Sequence, residues 1–358
     1  MKPNVINRRY YDEYFYYLST YCAEKVNYPV IYENLTKNWI STVSKNKKSY
    51  LVVFPDYLTD GLGYCAFSKN DQELLRNLDQ KIFVVSSVYN THLDFDYPNV
   101  YWLHAGSDML FQQLQYQELE PVVQKVFNQK WHYASFSLIA RPHRLLATSI
   151  LLSLYDRTGY ITVNPQPHNN KTWQDYFHCS SYVDQTQSQI LQQGWEKLLN
   201  YTNPEQILYP QCANHNALNF NLKLRNIYEH TAIEIVNETT FFNNGIFVSE
   251  KFLNSVYGKN FPILLSNPGT VKYLRDSGFD MFDDVIDHSY DCEPEPLQRL
   301  FKALYLNEQL LQNKNFAVDK WYNCKSRFES NLEWAKHFMY TNFFDNFFND
   351  LNNTIHKI

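Results

Sequence analysis

Arg141-Pro142-His143-Arg144 places two guanidinium groups and an imidazole within four consecutive positions, after one apolar run and before a longer one. Pro142 suits the first turn of a helix, where its missing N–H costs nothing. That turn carries the positive end of the helix dipole and unpaired N–H groups, so acidic residues are its usual occupants. Two arginines and a histidine oppose the dipole, and a bound anion such as a diphosphate would offset that repulsion. The competing account has both arginines facing solvent or pairing with acids elsewhere. A second polar group, Ser249-Glu250-Lys251, follows the apolar run Gly245-Ile246-Phe247-Val248 at another strand-to-helix junction. A carboxylate there can accept hydrogen bonds from ribose hydroxyls, and an ammonium can neutralise phosphate charge. Helix capping accounts for Ser249 and Glu250 but leaves Lys251 without a role. Glu238 ends the preceding apolar run and opens toward the same edge, since ligands of open α/β sheets bind outside the carboxyl ends of the strands.

These residues belong to a longer string. Glu238-Thr239, Ser249-Glu250-Lys251, Phe261-Pro262-Ile263-Leu264, Asn267-Pro268-Gly269-Thr270, Tyr273-Leu274-Arg275-Asp276-Ser277-Gly278-Phe279-Asp280 and Tyr290-Asp291 follow in that order. The ordered set resembles the C-terminal nucleotide-sugar domain of GT-B glycosyltransferases of the fucosyltransferase and exostosin kind, and most of all phage-encoded proteins carrying the same string. The resemblance covers about Ser135–Asp291 and is sharpest from Glu238 onward. It implies an α/β fold of two Rossmann-like domains with a cleft between them, and a nucleoside-diphosphate sugar as donor. Residue by residue it implies that Arg141 or Arg144 binds the diphosphate, Glu250 the ribose and Lys251 a phosphate, with Glu238 and Ser249 in the same donor site. The N-terminal half matches no motif of that family.

Glycosyl transfer needs a base for the acceptor hydroxyl and positive charge for the departing diphosphate. Asp56 and Asp60 follow one apolar run, and His104 and Asp108 follow another. Asp60 and Asp108 are the candidates for the base, although a turn role before Gly61 competes for Asp60. Asp94-Phe95-Asp96 matches the acidic triplet that holds a divalent metal in the other large glycosyltransferase fold. Arginines can meet a diphosphate without a metal, so neither a metal nor a separate cofactor is expected. His168, His178 and Cys179 have no ligand spacing.

The elements that must position these groups are short. Apolar runs at 50–54, 81–86 and 99–103 read as strands, with a helix at 72–78 between the first two. Strands follow at 134–139, 161–163, 232–236, 245–248 and 261–265. Helices are predicted at 142–155, at 250–257 ending on Gly258, and at 270–276 ahead of Gly278. Residues 1–45 read as mostly helical, and 173–226 as mixed and polar. Strands alternating with helices imply a parallel sheet. The expected organisation is an acceptor domain over 1–130, a nucleotide-sugar domain over 131–295, and a helical tail over 296–358 that packs back on them.

Composition limits the function classes. A chain of 358 residues suits two domains. Thirty-two basic against thirty-seven acidic side chains give a net charge of −5, which excludes a globally basic nucleic-acid coat. A local basic groove remains open, and Lys37, Lys45, Lys47 and Lys48, with Arg8 and Arg9 upstream, are the clustering that could form one. Aromatics reach 17%, and the crowd at Tyr10–Tyr17 and the pairs at Phe343–Phe348 read as packing surfaces. The nearest cysteines, Cys292 and Cys324, stand 32 positions apart, so no disulfide framework or CxxC pattern is expected. Met1–Tyr10 lacks the apolar run of a signal peptide, and no stretch is long enough to span a bilayer. A soluble cytoplasmic protein is the expectation. The resulting functional expectation is transfer of a sugar to an acceptor hydroxyl, with a hydroxymethylated pyrimidine in phage DNA suggested by the phage resemblance. A glycan or protein acceptor, or a nucleotide-sugar epimerase of the same architecture, is the alternative.

Overall fold

Short runs rich in β-branched and aromatic residues alternate with helices and build two separate parallel sheets. The structure is a computed structural model that describes residues 30–32, 45, 50–54, 69–86, 89–90, 99–104, 120–127, 131–137, 141–155, 158–163, 171–176, 183–202, 224–242, 245–338 and 349. The chain divides into two compact units. One holds residues 1–117, 242–250 and 335–358, and the other holds 118–241 and 251–334. No described helix is long and apolar enough to cross a membrane.

The first unit contains β1 (Val30–Tyr32), β2 (Tyr50–Phe54), α1 (Lys69–Arg76), β3 (Ile82–Ser86), β4 (Tyr89–Asn90) and β5 (Val100–His104). Its sheet has the order β1-β2-β3-β5, and every pairing is parallel. Leu75 and Leu78, in and just after α1, are buried. β1 corrects the helical expectation for 1–45 at this point, since Val30-Ile31-Tyr32 is a β-branched and aromatic triplet that pairs with β2.

The second unit opens with β6 (Tyr133–Ser137), α2 (Pro142–Leu154), β7 (Gly159–Val163), α3 (Gln185–Leu199), α4 (Arg225–His230) and β8 (Ile233–Asn237). The chain then lends residues 242–250 to the first unit, where β9 (Gly245–Ile246) pairs antiparallel with β4. The strand expected over 245–248 is thus two residues long and stands outside the parallel sheets. The chain continues with α5 (Glu250–Gly258), β10 (Phe261–Leu265), α6 (Thr270–Asp276), α7 (Pro296–Tyr305), α8 (Glu308–Gln312), α9 (Lys314–Asn323) and α10 (Lys325–Glu333). The second sheet has the order β10-β8-β6-β7, again all parallel. Pro262 is tolerated because β10 is an edge strand. β7, β8 and β10 are buried along their whole length, as expected when helices cover both faces of a parallel sheet.

Strand order decides where a site can lie. From β6 the chain steps outward to β7, then crosses to the other flank of β6 to lay down β8 and β10. The carboxyl ends of β6 and β8 therefore adjoin at the point where the order reverses, the usual ligand position in such sheets.

α2 is the buried axis of this unit. Every residue from His143 to Leu152 is buried, and α3, α7 and β7 pack against it. A helix buried on all sides is a core helix, and each fully buried Leu or Ile in it is worth roughly 1.5–3 kcal/mol. α3 lies inside the segment read as mixed and polar. Its glutamines obscure a buried stripe of Leu191, Trp195 and Leu198, but Asp184 and Gln187 form a reciprocal cap ahead of it. Gly194 lets α3 close onto α2, since a Cβ there would stand 1.8 Å from the Ser149 carbonyl oxygen. Gly258 has a packing role and does not end its helix by a left-handed turn. It remains helical while Lys259 takes φ 53, and a Cβ at Gly258 would meet the Tyr228 ring at 2.7 Å.

Gly194→Ala should therefore lower stability by roughly 1–3 kcal/mol through overpacking, moving Tm down by several degrees. Thermal melts of the variant beside wild type check this, and an unchanged Tm would contradict the close crossing of α2 and α3.

Candidate functional site

Two chain segments meet at the reversal point: the first turn of α2, and the turn that follows β8. Arg141 is the N-cap of α2, extended at φ −83° and ψ 152°, with Pro142 next, so its side chain is available for contacts outside the helix. Arg141 Nη1 donates to the Thr239 carbonyl oxygen. His143 Nε2 donates to the Glu238 carbonyl oxygen at 2.9 Å, and Arg144 Nη2 donates to the same oxygen at 3.1 Å. Lys251, in the first turn of α5, brings Nζ to 3.4 Å from Thr239 Oγ1. The Glu238 carboxylate accepts the Thr239 N–H at 3.1 Å. Three positive side chains and one imidazole thus converge on a single two-residue turn.

Burial sets the charge state of the imidazole. His143 is 2% exposed, and desolvation holds its pKa well below the ordinary histidine range, with Arg144, Arg141 and Lys251 adding to the depression and the Glu238 bond opposing it. It is therefore neutral, and the carbonyl contact places its hydrogen on Nε2. Its ring stacks on Phe241, with centroids 5.0 Å apart and planes 9° from parallel. The Arg299 guanidinium of α7 lies 4.5 Å from the Phe241 ring centroid. Arg299 also donates to the carbonyls of Phe241 at 2.5 Å, Ser266 at 3.0 Å and Glu293 at 2.6 Å. Burial pushes its pKa down to about 10, so it stays charged at neutral pH. Asn267 Nδ2 reaches Thr240 Oγ1 at 3.0 Å, and Asn237 Nδ2 ties β8 to Ser135 of β6 at 2.9 Å. The turn from Glu238 to Phe241 is thus gripped from α2, α5, α7 and the loop after β10.

Several residues of the motif string hold the scaffold. The start of α6, a natural anion position, is occupied by the chain's own Asp291, whose carboxylate accepts the N–H groups of Val271 and Lys272 at 3.1 Å each. Burial raises the pKa of Asp291 while those two bonds oppose the rise. Gly269 enters α6 at φ 82° and donates to the Asp291 carbonyl at 2.9 Å. The Tyr290 hydroxyl accepts the Leu264 N–H of β10 at 3.0 Å. Arg275 forks onto Asp283, and Arg327 forks onto Asp280.

Of the residues expected at a donor site, Arg141, Arg144, Glu238 and Lys251 are brought to one turn. Ser249 is buried immediately ahead of α5, within the segment that groups with the first unit, and Glu250 opens that helix. Asp60 and Asp108 lie outside the described residues, as do Asp94, Asp96, His168, His178 and Cys179. Of the basic cluster only Lys45 is described, and it is exposed. His143, Phe241 and Arg299 were not among the expected site residues. No periodicity marks Arg299 in the sequence: on helical spacing it falls on the face opposite the apolar stripe Leu297, Leu300, Phe301 and Leu304 of α7, where an arginine is expected to meet solvent. Among the described residues no three His, Cys, Asp or Glu side chains gather as a metal-ion site. No family model matches the chain, and neither a curated protein nor a solved structure matches it.

Beneath the turn, β8 carries a carboxyl group through the core. Glu234 is 2% exposed and receives the Tyr228 hydroxyl at 2.7 Å. Desolvation pushes its pKa up to about 8, against opposing hydrogen bonds from Tyr228 and Ser255 and the field of Lys125. Lys125 is itself buried and donates to the carbonyls of Tyr228 and Thr231 and to Asn260 Oδ1, at 2.5, 2.7 and 2.5 Å. Because the folded pKa of Glu234 is raised, its contribution to stability is full below its unfolded value of 4.5 and is lost as pH rises through about 8. Glu234→Gln mimics the neutral acid. Its Tm relative to wild type should move upward by a few degrees between pH 5 and pH 9. A difference that is flat or falls with pH in paired thermal melts would contradict a neutral Glu234.

Proposed function

We propose that the chain is a glycosyltransferase of the GT-B kind that uses a nucleoside-diphosphate sugar as donor. The observation that carries this reading is the meeting of Arg141, Arg144 and Lys251 on the Glu238–Thr239 turn at the carboxyl ends of β6 and β8. Fixed positive charge at that position suits a leaving diphosphate, whose charge grows as the glycosidic bond breaks. A parallel sheet with its order reversing at the same point supports a nucleotide ligand. In this reading the Lys251 ammonium meets a phosphate, while Arg141 and Arg144 do so from the start of α2. The reading assigns Glu250 to the ribose and Glu238 and Ser249 to donor binding, with Asp60 or Asp108 as the base. The acceptor is a hydroxyl group, with the hydroxymethylated pyrimidine of phage DNA as the leading candidate and a glycan or protein hydroxyl as its competitor. An epimerase reading uses the same donor chemistry with no acceptor.

Two assays test the reading. Lys251→Ala should weaken nucleoside-diphosphate binding about tenfold to a hundredfold, the loss of a charge-assisted contact worth roughly 1.5–3 kcal/mol. Full affinity retained in calorimetry would remove Lys251 from the site. For turnover, the protein is incubated with UDP-, GDP- and ADP-sugars and either hydroxymethylcytosine DNA, a polysaccharide or no acceptor, and products are identified by mass. Sugar added to nucleoside or glycan, with the nucleoside diphosphate released, is the expected result. Sugar isomerised without an acceptor would favour the epimerase, and no binding of any donor would overturn the reading.

A further inference from the structure

We propose that His143 is a positioning residue that sets the shape of the ligand-facing turn through the Glu238 carbonyl and the Phe241 ring, without touching the ligand itself. The proposal rests on the donor-site reading above for its binding readout. Glu238 is fully buried, so its carbonyl must be satisfied within the protein. His143 donates to it at 2.9 Å, alongside Arg144 at 3.1 Å, and lays its ring against Phe241, three residues further along. One side chain thereby holds both ends of the Glu238–Phe241 turn, on which Arg141 and Lys251 also rest.

The chemistry of the neighbourhood explains why an imidazole occupies this position. The charges acting on it are Arg141 and Arg144 from α2 and Lys251 from α5, and Arg299 of α7 lies at the Phe241 ring on which it stacks. Another cation would add repulsion to this group. A neutral planar donor meets the carbonyl and stacks on the ring at no such cost.

Reach makes the test specific, because the donor is Nε2. A glutamine amide nitrogen can occupy that position, whereas an asparagine amide reaches only as far as Nδ1. The variants His143→Gln, His143→Asn and His143→Leu are compared with wild type by calorimetry against UDP, GDP, ADP, CDP and inorganic pyrophosphate. Deuterium uptake is measured over residues 238–241 in the same proteins. His143→Gln should bind within about threefold of wild type, while the Asn and Leu variants lose about tenfold or more, the scale of one lost hydrogen bond that orients a site. Uptake over 238–241 should rise in the Asn and Leu variants and stay near wild type in the Gln variant. Wild-type behaviour of His143→Leu, or equal behaviour of the Gln and Asn variants, would overturn the proposal. If His143→Leu does not fold, the Gln and Asn pair decides. If wild type binds none of the probes, the donor-site reading fails, and deuterium uptake alone decides the positioning role.

Discussion

Two backbone carbonyls, those of Glu238 and Thr239, organise the second unit at its reversal point. Both lie in the turn just past β8, beyond the last strand pairing at Asn237, and the Glu238 carbonyl is buried away from water. A buried carbonyl without a donor costs about as much as a lost hydrogen bond or more. Arg141, His143 and Arg144 meet that requirement from the first turn of α2. The basic residues that oppose the dipole of α2 are thus accounted for in part by the fold: their donors go to carbonyls of the next segment. The same arrangement fixes their charge at the carboxyl end of the sheet, the feature on which the proposed donor site rests.

That grip depends on the burial of α2. The helix is buried on every side, so its position comes from packing: α3 across Gly194, with α7 and β7 against it. A helix seated this way has little freedom to rotate, because interiors are packed to the density of organic crystals. Its first turn therefore presents Arg141, His143 and Arg144 in fixed directions. Arg299 extends the restraint from α7 by holding three carbonyls and the Phe241 ring. Lys125 and Glu234 place further buried polar groups under β8, each with hydrogen bonds that offset part of the desolvation cost.

The motif string divides by role once its contacts are known. Gly269, Asp291 and Tyr290 close the loop after β10 and cap α6, while Arg275 and Asp280 bind partners further along the unit. The start of α6 is filled by the chain's own Asp291 carboxylate, and the proposed donor site draws its basic residues from α2 and α5. Glu238, Thr239 and Lys251 are the part of the string that gathers there.

Much of the fold was legible along the chain. Apolar runs of about five residues between helix-forming segments specify parallel strands, because such strands are buried on both faces and need no alternation. Arg141-Pro142-His143-Arg144 and Lys251 stood out because their charge disagrees with their expected positions, and a local disagreement of that kind can be read from sequence. Other features required the tertiary structure. Only the strand order reveals that β8 lies beside β6 and not beside β7, and so only it brings residue 238 to residue 141. The polar disguise of α3, the pairing of β9 with β4, and the packing role of Gly258 all depend on partners distant in sequence. His143 marks the boundary between the two. Its residue type and its place at a helix start are sequence facts, but its neutrality and its bond to Glu238 arise from burial among side chains contributed by four separate segments.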